Sequence, residues 1–245
     1  KEVQNSKAIS QADYQDTSKP VSNAQKVYYS LGTFGSAIFK GVFGVATIKF
    51  YKDIVGLSSN TISTVFLIYA IWNALNDPVF GYLSDRVKWK KSELGQRIPW
   101  MRLLNPLLGI SFAITWFSPI GNTWKQALYL FMVLFLFDGG YTIVVLNLGA
   151  LLPDMHTSTV ERSKISLVSG VFGAFASIGS ILVPSFVLTG SVNLQTLQTA
   201  MVGVSIVAFI AMEICAYNVK IRKIEQPEDP MNLVESVKAS VKNQS

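Results

Sequence analysis

Charge is scarce in this sequence. Asp, Glu, Lys and Arg make up 15% of its 245 residues, against ~25% in an average soluble domain. With 50% hydrophobic residues and a mean hydropathy of +0.36, a water-soluble fold would lack the polar surface to cover itself, which excludes an ordinary soluble domain. One cysteine, Cys215, has no partner within the chain, so a disulfide framework is excluded and the residue reads as a small buried hydrophobe. One histidine, His156, lies in a polar connection. That excludes a multi-histidine metal centre, and a Ser-His charge relay unless this one ring serves it. No apolar segment carries a nucleophile beside a base or a metal-spaced ligand set, so neither an enzyme nor a cofactor is expected. Nothing resembles a signal peptide, because polar residues 1–26 precede the first apolar run and read as a disordered cytoplasmic tail.

Long apolar runs are what the sequence has instead. A helix crossing the hydrocarbon core needs ~20 mainly apolar residues, and six segments qualify: 27–50, 60–83, 98–118, 127–152, 165–189 and 196–218. The turns between them, such as Lys52–Gly56, Pro119–Asn122 and Gly190–Asn193, are too short to hold domains. A β-barrel would need segments of ~10 residues alternating in polarity, and these runs are apolar on both parities. The expected fold is all-α: a polytopic bundle of six transmembrane helices over 27–218, followed at 219–245 by a cytoplasmic linker. In that linker Leu233, Val234, Val237 and Val241 share one helical face, the pattern of a short amphipathic surface helix, and it is expected to lead to a second half beyond Ser245.

Basic residues set the orientation. Seventeen of the 21 Lys and Arg fall on the side of the N-terminus, in the tail, in 84–103, in 154–164 and after 218, so both termini are expected to be cytoplasmic in a cell membrane. The net charge of +6 is thereby accounted for by topology and affinity for anionic headgroups, and nucleic acid is not an expected partner. Trp89, Trp100 and Trp124 lie near the expected interfaces, as an aromatic belt would. Gly32, Gly35, Gly41 and Gly44, with Gly170, Gly173, Ser177 and Ser180, form small-residue stripes that close helix packing explains.

Ionisable groups inside spans cost ~2.5 to 3.5 kcal/mol on insertion scales, which makes each a functional candidate. They are Lys40, Asp77 and Asp138, with Glu213 near an end, and Asn73, Asn76, Asn105 and Asn147 add amides. Asn73, Asn76 and Asp77 point into one sector of the second span. Pro78 frees a backbone carbonyl one turn earlier, adding an oxygen to that sector. This is either an interhelical hydrogen-bonding cluster or a cation or proton site. Lys40 and Asp138 both lie ~20 Å from the cytoplasmic surface by helix rise. An ion pair across a polar cavity is expected for them, with a snorkelling lysine and a protonated aspartate as the other reading.

The stretch Ile71–Arg86 resembles the second-helix signature of the glycoside-pentoside-hexuronide:cation symporters, the melibiose permease group of the major facilitator superfamily. Tyr51–Ser58 before it, Gly95–Trp100 after it, and Leu151–Met155 with Glu161 and Arg162 follow in the order and spacing of that family's N-terminal half. The resemblance covers about residues 25–245, whereas family members have twelve spans, so it implies a missing C-terminal six-helix half as partner. Gly81, Asp85 and Arg86 resemble the superfamily's cytoplasmic loop motif, which implies a gate; Asp85 at a helix C-terminus needs a partner against the macrodipole.

This chain also departs from the family's sugar transporters. Asn73 replaces the first member of their acidic pair, leaving Asp77, while Ala37 and Val145 stand where they carry aspartates. Gly149 and Gly170 replace a tryptophan and an arginine, and Tyr141 survives. Asp138 lies two turns before Val145 on the same face, so the resemblance implies a charge either relocated within the cavity or lost from the usual position. The expected function is cation-coupled symport of a small polar solute, such as a sugar or glycoside, by alternating access. Asp77 with Asn73 would carry the coupling ion, H⁺ in preference to Na⁺, and Tyr141, Asp138, Lys40, Asn147 and Asn76 would line the substrate path. The alternatives are an uncoupled facilitator or lipid-handling member of the same superfamily, or a half-size, self-associating membrane scaffold.

Overall fold

The structure is a computed structural model that describes residues 16, 18–86, 95, 97–119, 121–188 and 193–222, with the side chains of residues 77, 78 and 83–86 outside that description. Among the described residues six α-helices each grow from one of the apolar runs: α1 (Asn23–Lys49), α2 (Ser59–Arg86), α3 (Arg97–Ile114), α4 (Thr123–Met155), α5 (Thr159–Val187) and α6 (Leu194–Asn218). Asparagine or serine starts several of them by satisfying an orphan N–H. Ser22 Oγ accepts from Gln25 N, Asn122 Oδ1 from Lys125 N and Asn193 Oδ1 from Thr196 N.

Two boundaries differ from the sequence reading. The expected turn at Lys52–Gly56 is largely a π-helical turn, Phe50–Ile54, that carries α1 onward. Its wider winding turns two consecutive aromatics inward. Phe50 packs edge-on against Trp116 at 5.3 Å, and the Tyr51 hydroxyl donates to Thr115 O at 3.1 Å. The chain reverses only at Gly56, whose φ of +82° is open to glycine without strain. α3 stops at Ile114, short of residue 118, because Trp116 N and Phe117 N bond back to Ala113 O and Ile114 O in a tightened last turn ahead of Pro119.

By length and composition four stretches can cross a membrane: Asn23–Ile54, Thr123–Met155, Thr159–Val187 and Leu194–Asn218. α2 and α3 fall short of the same measure, whereas the sequence reading counted six spans. α2 breaks its apolar run with Asn60, Asn73, Asn76 and Asp77, and the 18 residues of α3 include Arg97, Arg102 and Asn105.

α1 packs against α5 and α6, α4 packs against α2 and α3, and α3 meets α6. Exchanging the first three helices for the last three maps this pattern onto itself. At the centre Phe39 meets Phe112 (centroids 5.0 Å apart) and Phe43 stacks on Phe137 (3.9 Å). The small-residue stripe is real on α1: a Cβ on Gly35 would lie 2.6 Å from Ala208 O, one on Gly32 would lie 2.7 Å from Cys215 Sγ, and one on Gly41 would strike Ser180. Gly44, Gly170 and Gly173 face open space, so close packing does not explain them.

Several segments converge at one end of the bundle. Val21 N donates to Glu161 Oε2 at 3.0 Å, Gln25 Nε2 donates to Asn218 O at 2.9 Å, and Lys220 N donates to Gln25 Oε1 at 2.7 Å. Arg222 N bonds Asp154 O at 2.9 Å, and the Arg102 guanidinium lies over the Tyr217 ring at 4.1 Å. His156 Nδ1 accepts from Ser158 N at 2.9 Å. Residues 18–22 and 219–222 are therefore tied to the helices, though the sequence reading placed them in a tail and a linker. This end holds Arg97, Arg102, Lys164, Lys220 and Arg222, while Lys49, Lys52 and Lys125 lie at the opposite helix ends. Trp124 is 75% exposed, but Trp100 is buried and so is no belt residue. The amphipathic helix of 224–245, Trp89 and residues 1–15 lie outside the described residues.

Candidate functional site

Asp138 sits near the middle of α4, a costly place for a carboxyl group, and α2 runs alongside to serve it. The Tyr69 hydroxyl donates to Asp138 Oδ1 at 2.7 Å, and Asn76 Nδ2 donates to Oδ2. Tyr69, Asn73 and Asn76 recur at i, i+4 and i+7, which puts all three on one face of α2. Asn76 is fully buried behind Asp138, and Asn73 is exposed.

Beside this cluster α1, α2 and α4 enclose a cavity of about 480 Å³. Lys40 enters from α1, Tyr69 and Asn73 from α2, and Asp138 and Tyr141 from α4, while Phe43, Phe66 and Phe137 form aromatic walls. Lys40 Nζ lies 5.8 Å from the centroid of the Tyr141 ring, within reach of a cation–π contact. The expected ion pair between Lys40 and Asp138 is not formed in this conformation. The carboxyl oxygens of Asp138 are turned to the phenol and amide of α2, and Lys40 is held over a ring instead.

Of the residues singled out from the sequence, Lys40, Asn73, Asp138 and Tyr141 line one cavity, and Asn76 supports it from behind. Asn147 does not join them. It lies nine residues beyond Asp138, half a turn round the helix, is fully buried, and donates from Nδ2 to Ile143 O of its own helix at 2.7 Å. Asp77 lies within α2, one turn beyond Asn73, with its side chain outside the description. Gly81 is half-buried near the end of α2 and a Cβ there would meet nothing within 4 Å; the side chains of Asp85 and Arg86 lie outside the description. Tyr69 was missed by the sequence reading. Its signal is present, a hydroxyl-bearing aromatic about one helical turn before Asn73, but tyrosine in an apolar run reads first as packing.

A larger cavity of about 660 Å³ lies between α2 and α4 beside Trp124, and none of the described residues of its walls, among them Thr64, Ile68 and Phe131, is ionisable.

The sequence matches a family described as MFS/sugar transport protein over residues 28–245. An uncharacterized symporter of Synechocystis is 28% identical over 187 residues, covering 74% of this chain and 34% of that protein. An uncharacterized symporter of Bacillus subtilis is 24% identical over 237 residues, covering 93% of this chain and 50% of the relative. An isoprimeverose transporter of Lactiplantibacillus pentosus is 24% identical over 196 residues, with 78% and 40% covered. The chain thus spans a third to half the length of these relatives.

Proposed function

The chain belongs to the MFS/sugar transport protein family of membrane transporters, and from that premise we propose that it forms the N-terminal half of a cation-coupled symporter for a small polar solute such as a sugar or glycoside. The observation that carries this reading is the cavity between α1, α2 and α4, where a carboxyl group, an ammonium and two phenols meet within a bundle of apolar helices. Polar and ionisable residues are retained at such depth where they face a solute or ion pathway. All six helices cross the bilayer in this reading, α2 and α3 keeping their polar residues turned to protein and cavity, and both termini face the cytoplasm of the cell. A C-terminal six-helix half completes the solute path, and the two halves rock about it to alternate access.

Asp77, with Asn73 beside it, carries the coupling cation. A lone carboxylate with amide neighbours takes up H⁺ readily, whereas Na⁺ calls for several oxygens and more negative charge, so proton coupling is preferred. Tyr141, Asp138 and Lys40 line the solute path, Asn76 positions Asp138, and Gly81, Asp85 and Arg86 form the cytoplasmic gate. Asn147 has its role in packing rather than in the path. In proteoliposomes holding the intact transporter, a solute such as isoprimeverose accumulates against its gradient when an inward proton gradient is imposed, and the protonophore abolishes accumulation. Uptake that only equilibrates and ignores ionophores would identify an uncoupled facilitator instead.

A further inference from the structure

We propose that Glu213 and Asn105 form a proton-binding site outside the cavity, at the contact of α3 with α6, in which Glu213 is held as a neutral acid paired with the Asn105 amide. Glu213 stands in the apolar run of α6, five residues before the helix ends at Asn218, and has no part in the solute path. α3 packs against α6 here, and the Glu213 carboxyl faces the Asn105 amide across the contact. Both amide heteroatoms of Asn105 and Oε1 of Glu213 are sealed from solvent, and none of the three has a hydrogen-bond partner among the described residues. Asn105 as a whole is 1% exposed. Buried polar atoms without partners are costly, which favours the protonation state that lets all three pair.

An ionised carboxylate can only accept. It can take a proton from Asn105 Nδ2, but it leaves Asn105 Oδ1 facing another acceptor. A neutral acid donates its O–H to Asn105 Oδ1 while its carbonyl accepts from Nδ2, so carboxyl and amide satisfy each other through two parallel bonds. Pro106 strengthens the demand for a donor. It lacks the N–H that Arg102 O would accept from in a regular helix, which leaves a further acceptor on that turn of α3. The charged group that acts on this carboxyl is Arg102, whose field alone would favour a carboxylate. Its bonds go elsewhere, however. Arg102 Nε donates to Ala216 O at 3.0 Å, the guanidinium lies 4.1 Å from the centroid of the Tyr217 ring, and no ion pair with Glu213 is formed. The other titratable groups around the carboxyl are Cys215 and Tyr217 on α6, with Tyr29 of α1 beside Cys215. Loss of the proton breaks the pair, so the site makes the packing of α3 on α6 proton-dependent.

Infrared difference spectroscopy of the intact transporter tests this. At neutral pH, Glu213→Gln should lose one carboxylic-acid carbonyl band of the wild type, and Asn105→Ala should shift that band to higher frequency as its hydrogen bonds are removed. Glutamine keeps both the donor and the acceptor of the neutral acid, so Glu213→Gln should also melt within about 2 °C of wild type. Loss of a carboxylate band instead of a carboxylic-acid band in Glu213→Gln would overturn the proposal. An Asn105→Ala spectrum in which no carboxylic-acid band moves would overturn it too, and that variant decides the matter if Glu213→Gln does not fold. Either of these results leaves the transport reading intact, because both concern a site away from the solute path.

Discussion

A carboxyl group in the middle of a membrane-crossing helix must find donors, and Asp138 finds two on the neighbouring helix. Interhelical hydrogen bonds within bilayers contribute about 0.6 kcal/mol on average and up to about 1.7, so the Tyr69 and Asn76 contacts matter jointly more than singly. In a double-mutant cycle on Tyr69→Phe and Asp138→Asn, thermal stability should be non-additive by an energy in that range. Strict additivity would mean that the 2.7 Å contact between Tyr69 and Asp138 carries no coupling. At this scale the sequence reveals which residues are out of place in lipid: Lys40, Asn73 and Asp138 stand out by their polarity, and Tyr141 by the resemblance to the symporters. It did not reveal their pairing. Matched depth brought Lys40 and Asp138 together on paper, but depth fixes only one coordinate of a side chain. The rotation of α2, which aims Tyr69 and Asn76 at Asp138, is set by packing between helices far apart in sequence.

The elements are held by close approach where glycine permits it. A methyl group at Gly35 would lie 2.6 Å from both Ala208 O and Met212 Cγ, so α1 and α6 would have to separate, whereas Gly44 has open space. Gly35→Ala should therefore cost about 1 to 3 kcal/mol and lower the melting temperature of the detergent-solubilised protein, while Gly44→Ala should be neutral or slightly stabilising through helix propensity. Equal effects at the two sites would contradict the packing described. The positions of all six helices were legible because apolar runs of this length admit few other structures. The π turn at Phe50–Ile54 was not, because its cause is the pull of Trp116 and Thr115 on two aromatics more than sixty residues away in sequence. Asn147 shows the same limit: an amide in an apolar run advertises function, yet here it bonds its own helix.

At the scale of the molecule, one end gathers Arg97, Arg102, Lys164, Lys220 and Arg222, and the other has Lys49, Lys52 and Lys125. This asymmetry leads to a labelling prediction that Cys215, fully buried, does not obscure. In intact cells a membrane-impermeant maleimide should label Lys125→Cys at once, and Ser163→Cys only after permeabilisation. The reverse pattern would invert the topology. The expected sidedness rests on lysine and arginine alone, because that rule depends only on charge and order along the chain. The solute is not legible in this way, because specificity lies in the three-dimensional arrangement of the few polar groups in the cavity and in whatever the second half contributes to it.

The central claim is that solute movement is driven by a cation bound at Asp77. It is tested most directly by comparing two modes of transport in proteoliposomes holding the intact Asp77→Asn protein. The account predicts that accumulation driven by an imposed gradient is lost, while counterflow exchange of labelled for unlabelled solute, which requires alternating access without net cation movement, is retained. Full concentrative uptake by Asp77→Asn would contradict it.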